Sequence, residues 1–251
     1  GNLRTRVLTA RQRGLVLRSP SYRLRRARWV HARWSRPRPL PHALERYAMA
    51  LRPLGLSATE PPRVAVGDEE RMWVGDWLAG WTGEGPLVAF CPGARHATKR
   101  WPEEHWVTLH REVRERGARV LVVSLPAERR QMPALAEQVE RDAGSRWACE
   151  GLARLAALLE RCPRAVTHDS GVMHLAAACG ARVVALFGST SPVLGFAPAG
   201  PDHVVLCREE RCQPCTLHGR AACPRRHFDC MRRLEPRSVL QALLGPGAPR
   251  A

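Results

Sequence analysis

From residue 87 onward, short apolar runs alternate with amphipathic stretches of helical length, and that alternation leaves few folds open. Runs at 87–90, 119–124, 165–167 and 182–187 are rich in Val, Leu, Ala and Phe and are too short to be helices. The first three are followed by stretches with helical spacing, at 102–116, 127–143 and 171–179; a short strand near Trp147 precedes another at 152–161, and the run at 182–187 leads into a loop. In the first of these Trp106, Leu109 and Val113 share one face, and Gly117 marks the stop. A strand at 203–207, a cysteine-rich loop and a helix from Pro236 to about Leu244 complete the series. Strands alternating with helices of roughly 10–15 residues predict right-handed βαβ units and an α/β fold with a parallel, doubly wound sheet.

The first third of the chain reads differently. A helix is expected at 42–54, closed by Gly55 with Pro61 and Pro62 beyond it. A second is expected at 68–81, where Met72, Trp73, Trp77 and Trp81 form an apolar stripe that reads as packing. Residues 1–46 hold thirteen arginines and one acid, Glu45, with Tyr22, Trp29 and Trp34 interleaved, in a chain of net charge +17. Three readings stay open: a nucleic-acid patch acting by phosphate neutralisation, a face for an anionic membrane, or the solvated remnant of another domain. The last is the plainest. No apolar run approaches the roughly 18 residues that a membrane span needs, and no leader pattern opens the chain. It begins at Gly1 without a methionine, so a piece of a longer cytoplasmic protein is expected.

Two strand ends carry the candidate chemistry. The strand at 164–167 runs through His168 into Asp169-Ser170-Gly171, which opens a helix of small residues ending at Gly180. Ligands of open α/β sheets bind at the carboxyl ends of strands, where helix N-termini collect phosphate. A carboxylate, a hydroxyl and free backbone N–H groups at that point suit such a ligand; the bland alternative is an ordinary N-cap. The second strand end is Pro92-Gly93-Ala94 through Lys99-Arg100-Trp101-Pro102. Of forty Lys and Arg residues, Lys99 is the single lysine. A compact ammonium on a flexible stem reaches a phosphate in a way that a planar guanidinium does not; the alternative is chance and a solvated loop charge. The cysteines at 212, 215, 223 and 230 include one CxxC pair. Structural zinc on Cys212, Cys215, Cys223 and Cys230 (with His218 and His227 as substitutes), a redox-labile pair, and free thiols all remain open.

Four pieces in register over residues 87–245 resemble glycosyltransferase family 9, the lipopolysaccharide heptosyltransferases, and most closely the heptosyltransferase II branch. They are Pro92-Gly93-Ala94 with Lys99-Arg100-Trp101-Pro102; Asp169 to His174 with Ala176-Ala177; Val183 to Phe187 with Gly188-Ser189-Thr190-Ser191-Pro192; and the Cys-Gln-Pro-Cys pattern running to Pro236 and Val239. The resemblance implies the GT-B fold, two facing Rossmann-like domains, here a donor-binding C-terminal domain at 85–251 and an incomplete N-terminal acceptor domain with linker at 1–84. It implies that Lys99 meets the donor diphosphate, and that Asp169, Ser170, Gly171 and His174 hold the sugar and phosphates. Thr190 would lie beside them. Glu128 would read the ribose hydroxyls, although Ser124-Leu125-Pro126-Ala127 precedes it where the family often has glycine.

The function implied is inverting, metal-independent transfer of heptose from ADP-heptose to the anionic lipid A core, without a cofactor and with possible contact to the inner-membrane surface. The general base expected of such an enzyme belongs to the N-terminal domain, and no residue here is nominated for it. Two other classes are carried beside this one: a non-catalytic nucleotide-sugar binder and a basic nucleic-acid-binding protein on a Rossmann-like core.

Overall fold

The computed structural model describes residue 10 and residues 14–31, 39–57, 60–81, 83 and 85–245. Much of the basic segment at 1–46, including Trp34, lies outside the described residues. Six parallel strands form one sheet: β1 (Leu87–Cys91), β2 (Arg119–Val123), β3 (Ser145–Ala148), β4 (Arg164–His168), β5 (Arg182–Phe187) and β6 (Val204–Cys207). Their order across the sheet is β3-β2-β1-β4-β5-β6. The direction of winding therefore reverses between β1 and β4, which opens a crevice at their carboxyl ends.

The helices are α1 (Arg23–His31), α2 (Ala43–Leu51), α3 (Asp68–Leu78), α4 (Glu103–Arg114), α5 (Pro126–Arg129), α6 (Pro133–Arg141), α7 (Leu152–Glu160), α8 (Gly171–Ala178), α9 (Asp229–Arg232) and α10 (Pro236–Leu244). Strand side chains alternate between two cores, because successive residues point to opposite faces. Leu87, Ala89, Cys91, Val183, Ala185 and Phe187 pack with α3, α7 and α8; Val88, Phe90, Val184 and Leu186 pack with α4, α6 and α10. Both faces are covered, so the central strands read as unbroken apolar runs. Trp106 of α4 is fully buried against Phe90, Trp101 and His168.

Two expectations are corrected. The single helix at 127–143 is two, because Pro133 lacks an amide hydrogen and its ring clashes with a carbonyl of the preceding turn; α5 stops at Arg129 and Pro133 starts α6 at a position that suits it. Helix α1 was not expected at all. Its sequence, RLRRARWVH, has no apolar period and buries only Val30, while its four arginines favour helix intrinsically. Trp73 and Trp77 of α3 and Trp81 just beyond it pack against the core, whereas Met72, expected in the same stripe, is exposed; arginines cover the rings, Arg154 over Trp73, Arg146 over Trp77 and Trp81, and Arg119 over Trp81. Among the described residues no helix is long and apolar enough to cross a membrane.

Candidate functional site

The loop that follows β1 is fastened through Thr98 and Trp101. Thr98 is buried, shares a 2.9 Å hydrogen bond with the Ser189 hydroxyl, and accepts one of 2.8 Å from the Arg220 amide. The amide of Ser189 donates back to the Thr98 carbonyl at 3.1 Å. The amide of Trp101 donates to Nε2 of His168 at 2.8 Å, and its indole N–H donates to the Leu234 carbonyl. Burial drives the His168 imidazole down to about 3, so it is neutral near pH 7 and its Nε2 is a permanent acceptor.

Fixed in this way, the loop delivers Lys99 to the end of β4. Its ammonium lies 2.7 Å from Oδ2 of Asp169 and donates to the Asp169 carbonyl at 3.0 Å. Thr190, buried after β5, donates to the same Oδ2 at 2.7 Å. Side-chain exposures of 14% for Lys99 and 11% for Asp169 keep water from screening this pair strongly. Gln213 braces the loop after β5 by donating to the carbonyls of Phe187, Gly188 and Thr190. The two strand ends singled out by sequence thus meet at the switch point.

Ser170 is the N-cap of α8, yet its side chain caps nothing; Oγ is sealed from solvent and has no partner. No acidic residue occupies the first turn of α8, and nothing lies within 4 Å of where a side chain at Gly171 would begin. The positive end of the helix dipole is therefore uncompensated. Ser170 and Val172 form one wall of a cleft of about 220 Å³. Its other walls are Gly93, Ala94 and Arg95 after β1, Leu125 and Glu128 after β2, Glu150 after β3, and Leu155 of α7. Glu128 enters because Gly93 has no side chain: a Cβ there would fall 2.1 Å from its Oε2. That oxygen accepts the Leu125 amide at 2.9 Å. His174 stands one turn into α8, and partial desolvation of its ring, against the pull of Asp169, lowers its pKa.

Lys99, Asp169 and Thr190 are in direct contact, Ser170 and Gly171 adjoin them, and Glu128 faces Ser170 across the cleft. The sequence reading aimed the Asp169 carboxylate at a ligand; here it holds Lys99 and Thr190. It missed His168, Thr98, Arg220 and Gln213, whose partners are 122 residues away in the case of Thr98 and Arg220. The four loop cysteines are free thiols. Burial and the neighbouring thiols push Cys230 up to about 12 and raise Cys215. Among the described residues no three His, Cys, Asp or Glu side chains are gathered as a metal-binding group, so the zinc reading finds no assembled ligand set.

A six-stranded sheet of this order, with an uncapped helix N-terminus and a lysine at the switch point, defines an α/β protein of Rossmann type. The profile of glycosyltransferase family 9 (heptosyltransferase) matches residues 9–223, and the chain belongs to that family. Lipooligosaccharide heptosyltransferase 2 of Haemophilus influenzae is 34% identical over 131 residues, which cover 50% of this chain and 37% of that protein. The family 9 glycosyltransferase structure from Veillonella parvula superposes with a TM-score of 0.68 at 22% identity, over 82% of this chain and 60% of that one. The E. coli heptosyltransferase WaaC, solved with ADP, superposes at 0.54 with 25% identity, over 80% and 55%. The chain thus spans between about a third and three fifths of the length of these proteins. The fold is of the GT-B glycosyltransferase type.

Proposed function

We propose that the cleft between β1, β2 and α8 binds the nucleoside of ADP-heptose or a related nucleotide-sugar, and that the whole protein transfers heptose to the lipopolysaccharide inner core. The observation that carries this reading is the convergence of Lys99, held through Asp169, with the N-terminus of α8, which no side chain caps and whose Ser170 lines the cleft. A diphosphate laid across Ser170 and Gly171 would take up the free N–H groups of α8 and the charge of Lys99. Glu128 sits where dinucleotide folds keep a carboxylate for ribose hydroxyls, just after the second strand.

Departure of a nucleoside diphosphate builds negative charge on its β-phosphate. A fixed ammonium and a helix N-terminus can stabilise that charge without a metal. Inversion requires a base to take the acceptor's proton. Asp169 does not serve, since its carboxylate already accepts from Lys99 and Thr190. In this reading residues 85–251 form the donor domain, and residues 1–84 are the acceptor-side segment and linker. The protein would work in the cytoplasm beside the membrane that carries its anionic glycolipid acceptor. Calorimetric titration with ADP tests the donor site. Replacing Lys99→Ala should weaken ADP binding about tenfold or more, as for a lost hydrogen bond between charged groups. Equal affinity of the two proteins would remove Lys99 from the site and the reading with it.

A further inference from the structure

Residues 208–228, between β6 and α9, form neither helix nor strand, and connections of that length without regular structure are uncommon in compact domains. Four of the nine cysteines, at 212, 215, 223 and 230, fall in this loop or just after it, and among the described residues no cysteine is disulfide-bonded. The function proposed above uses none of them. Burial raises Cys215 and Cys230 most, and neighbouring thiols add to it: Cys212 and Cys223 act on Cys215, and Cys215, Cys212 and Cys223 act on Cys230. Among the described residues no three of these groups are gathered to hold a metal. A disulfide needs only two sulfurs, and Cys212-Gln213-Pro214-Cys215 brings two within four residues.

The two sulfurs have different surroundings. Cys212 is half-buried, and its Sγ lies 3.8 Å from Nε2 of His227. Nδ1 of that ring accepts the Asp229 amide at 3.0 Å, so the ring hydrogen sits on Nε2 and is offered to the sulfur. Such a donor favours the thiolate, which is the nucleophile in thiol chemistry. Cys215 is buried, and its Sγ donates to the Ser189 carbonyl at 3.6 Å. Its raised thiol makes a poor first attacker. Three residues from a modified Cys212, however, its attack is intramolecular and gains from proximity.

The pair borders the parts that fix Lys99. Gln213, between the two cysteines, donates to the carbonyls of Phe187, Gly188 and Thr190, and the Cys215 amide donates to the Ser189 carbonyl at 3.0 Å. Ser189 bonds Thr98 in the β1 loop, and Thr190 bonds Asp169, the partner of Lys99. A bridge between the sulfurs takes the Cys215 proton from the Ser189 carbonyl and constrains the segment from which Gln213 reaches the β5 loop.

We propose that Cys212 and Cys215 are a thiol–disulfide exchange site, and that their oxidation loosens the Lys99 site. The co-reactant is a small disulfide, RSSR. The Cys212 thiolate attacks one of its sulfurs, the S–S bond breaks, and RS⁻ leaves and takes up the proton that Cys212 gave. The Cys215 thiolate then attacks the Cys212 sulfur and displaces the second RS⁻, which takes the Cys215 proton. Two thiols become one disulfide, and the two electrons reduce RSSR to two RSH. The chemistry stands by itself, while its effect on ligand binding rests on the donor site proposed above.

The test treats the whole reduced chain, with chelator present, with limiting oxidised glutathione, then alkylates it and digests it with trypsin. Residues 212–220 are released as one peptide, apart from Cys223 and Cys230. That peptide should be the first to change, two hydrogens lighter and unalkylated. Cys215→Ser should stop with one glutathione on Cys212, and Cys212→Ser should leave Cys215 alkylated. His227→Ala should slow the first step about threefold or more, the net of fewer thiolates and a more reactive sulfur. Oxidised protein should bind ADP severalfold more weakly and recover on reduction. Cys212→Ser should bind ADP as the reduced wild type does, with or without oxidant. Two alkylated thiols on the peptide, a bridge to Cys223 or Cys230 instead, a metal ion on these thiols in the native mass before chelation, or equal ADP affinity in both states overturns the proposal. Reduced wild-type protein that fails to bind ADP removes the donor reading and the coupling with it, and the peptide masses still decide the disulfide.

Discussion

Two sets of cations, Lys99 on one side and Arg26 with Arg46 on the other, are treated in opposite ways. Lys99 is saturated: it has a carboxylate at 2.7 Å and a carbonyl at 3.0 Å, and Thr190 steadies the carboxylate from the other side. Arg26 and Arg46 each stand 5.1 Å from the centroid of the Phe196 ring, and the Nε of each meets no acceptor among the described residues. A paired cation holds the fold together and keeps its place whether or not ligand is present. An unpaired one is a cost that the fold alone does not recover. The difference separates a cation fixed by its ionic partners from cations held against a ring.

Removing the partner of the paired cation should have the largest effect. Asp169→Asn keeps the shape and the Thr190 bond but leaves Lys99 facing a neutral amide, and stability should fall by up to roughly 3–5 kcal/mol in a denaturant titration. Arg46→Met, which removes an unpaired cation of similar burial, should be close to neutral or stabilising. Equal losses in the two variants would erase the contrast. The next effect concerns acid. With a folded value of about 3 for His168 against an ordinary 6.5, the unfolded chain binds the extra proton between those values. Stability is therefore intact above about pH 6.5 and declines as pH falls toward 3, by up to about 1.4 kcal/mol per unit. His110, lowered to about 4 by burial, adds to the same slope. A His168→Gln variant should be less stable at neutral pH and show a shallower decline. An unchanged slope would mean that His168 is not what couples the β1 loop to acid. The smallest effect belongs to Glu128→Gln, which should weaken ADP by about 1 kcal/mol and leave 2′-deoxy-ADP almost unaffected. A matching loss for both nucleotides would take Glu128 off the ribose.

The alternation from residue 87 onward gave the sheet and most of its helices, because burial on both faces leaves a local imprint on each strand. Gly117 and Gly180 end their helices at positive φ, as their places in the pattern implied. The break at Pro133 was equally local and could have been read from the proline alone. Lys99 stood out only as the single lysine among arginines, a compositional signal that carried no geometry. Nothing near Arg46 in the sequence announces its burial, since its neighbours Glu45 and Tyr47 are exposed. The clasp between Thr98 and Arg220 left no trace either, since neither residue type is unusual in a loop.

The chain on its own determined which segments are strands, where most helices begin and stop, and that a lysine and an acid just before a helix sit at two strand ends. Those features follow from backbone sterics and from the alternation of apolar side chains, which act over a few residues. Whether a charge is neutralised or stacked on a ring was decided only when β1, β4, β5 and α2 came together. Electrostatic pairing depends on distance in space and on the exclusion of water, and neither is fixed by proximity along the chain.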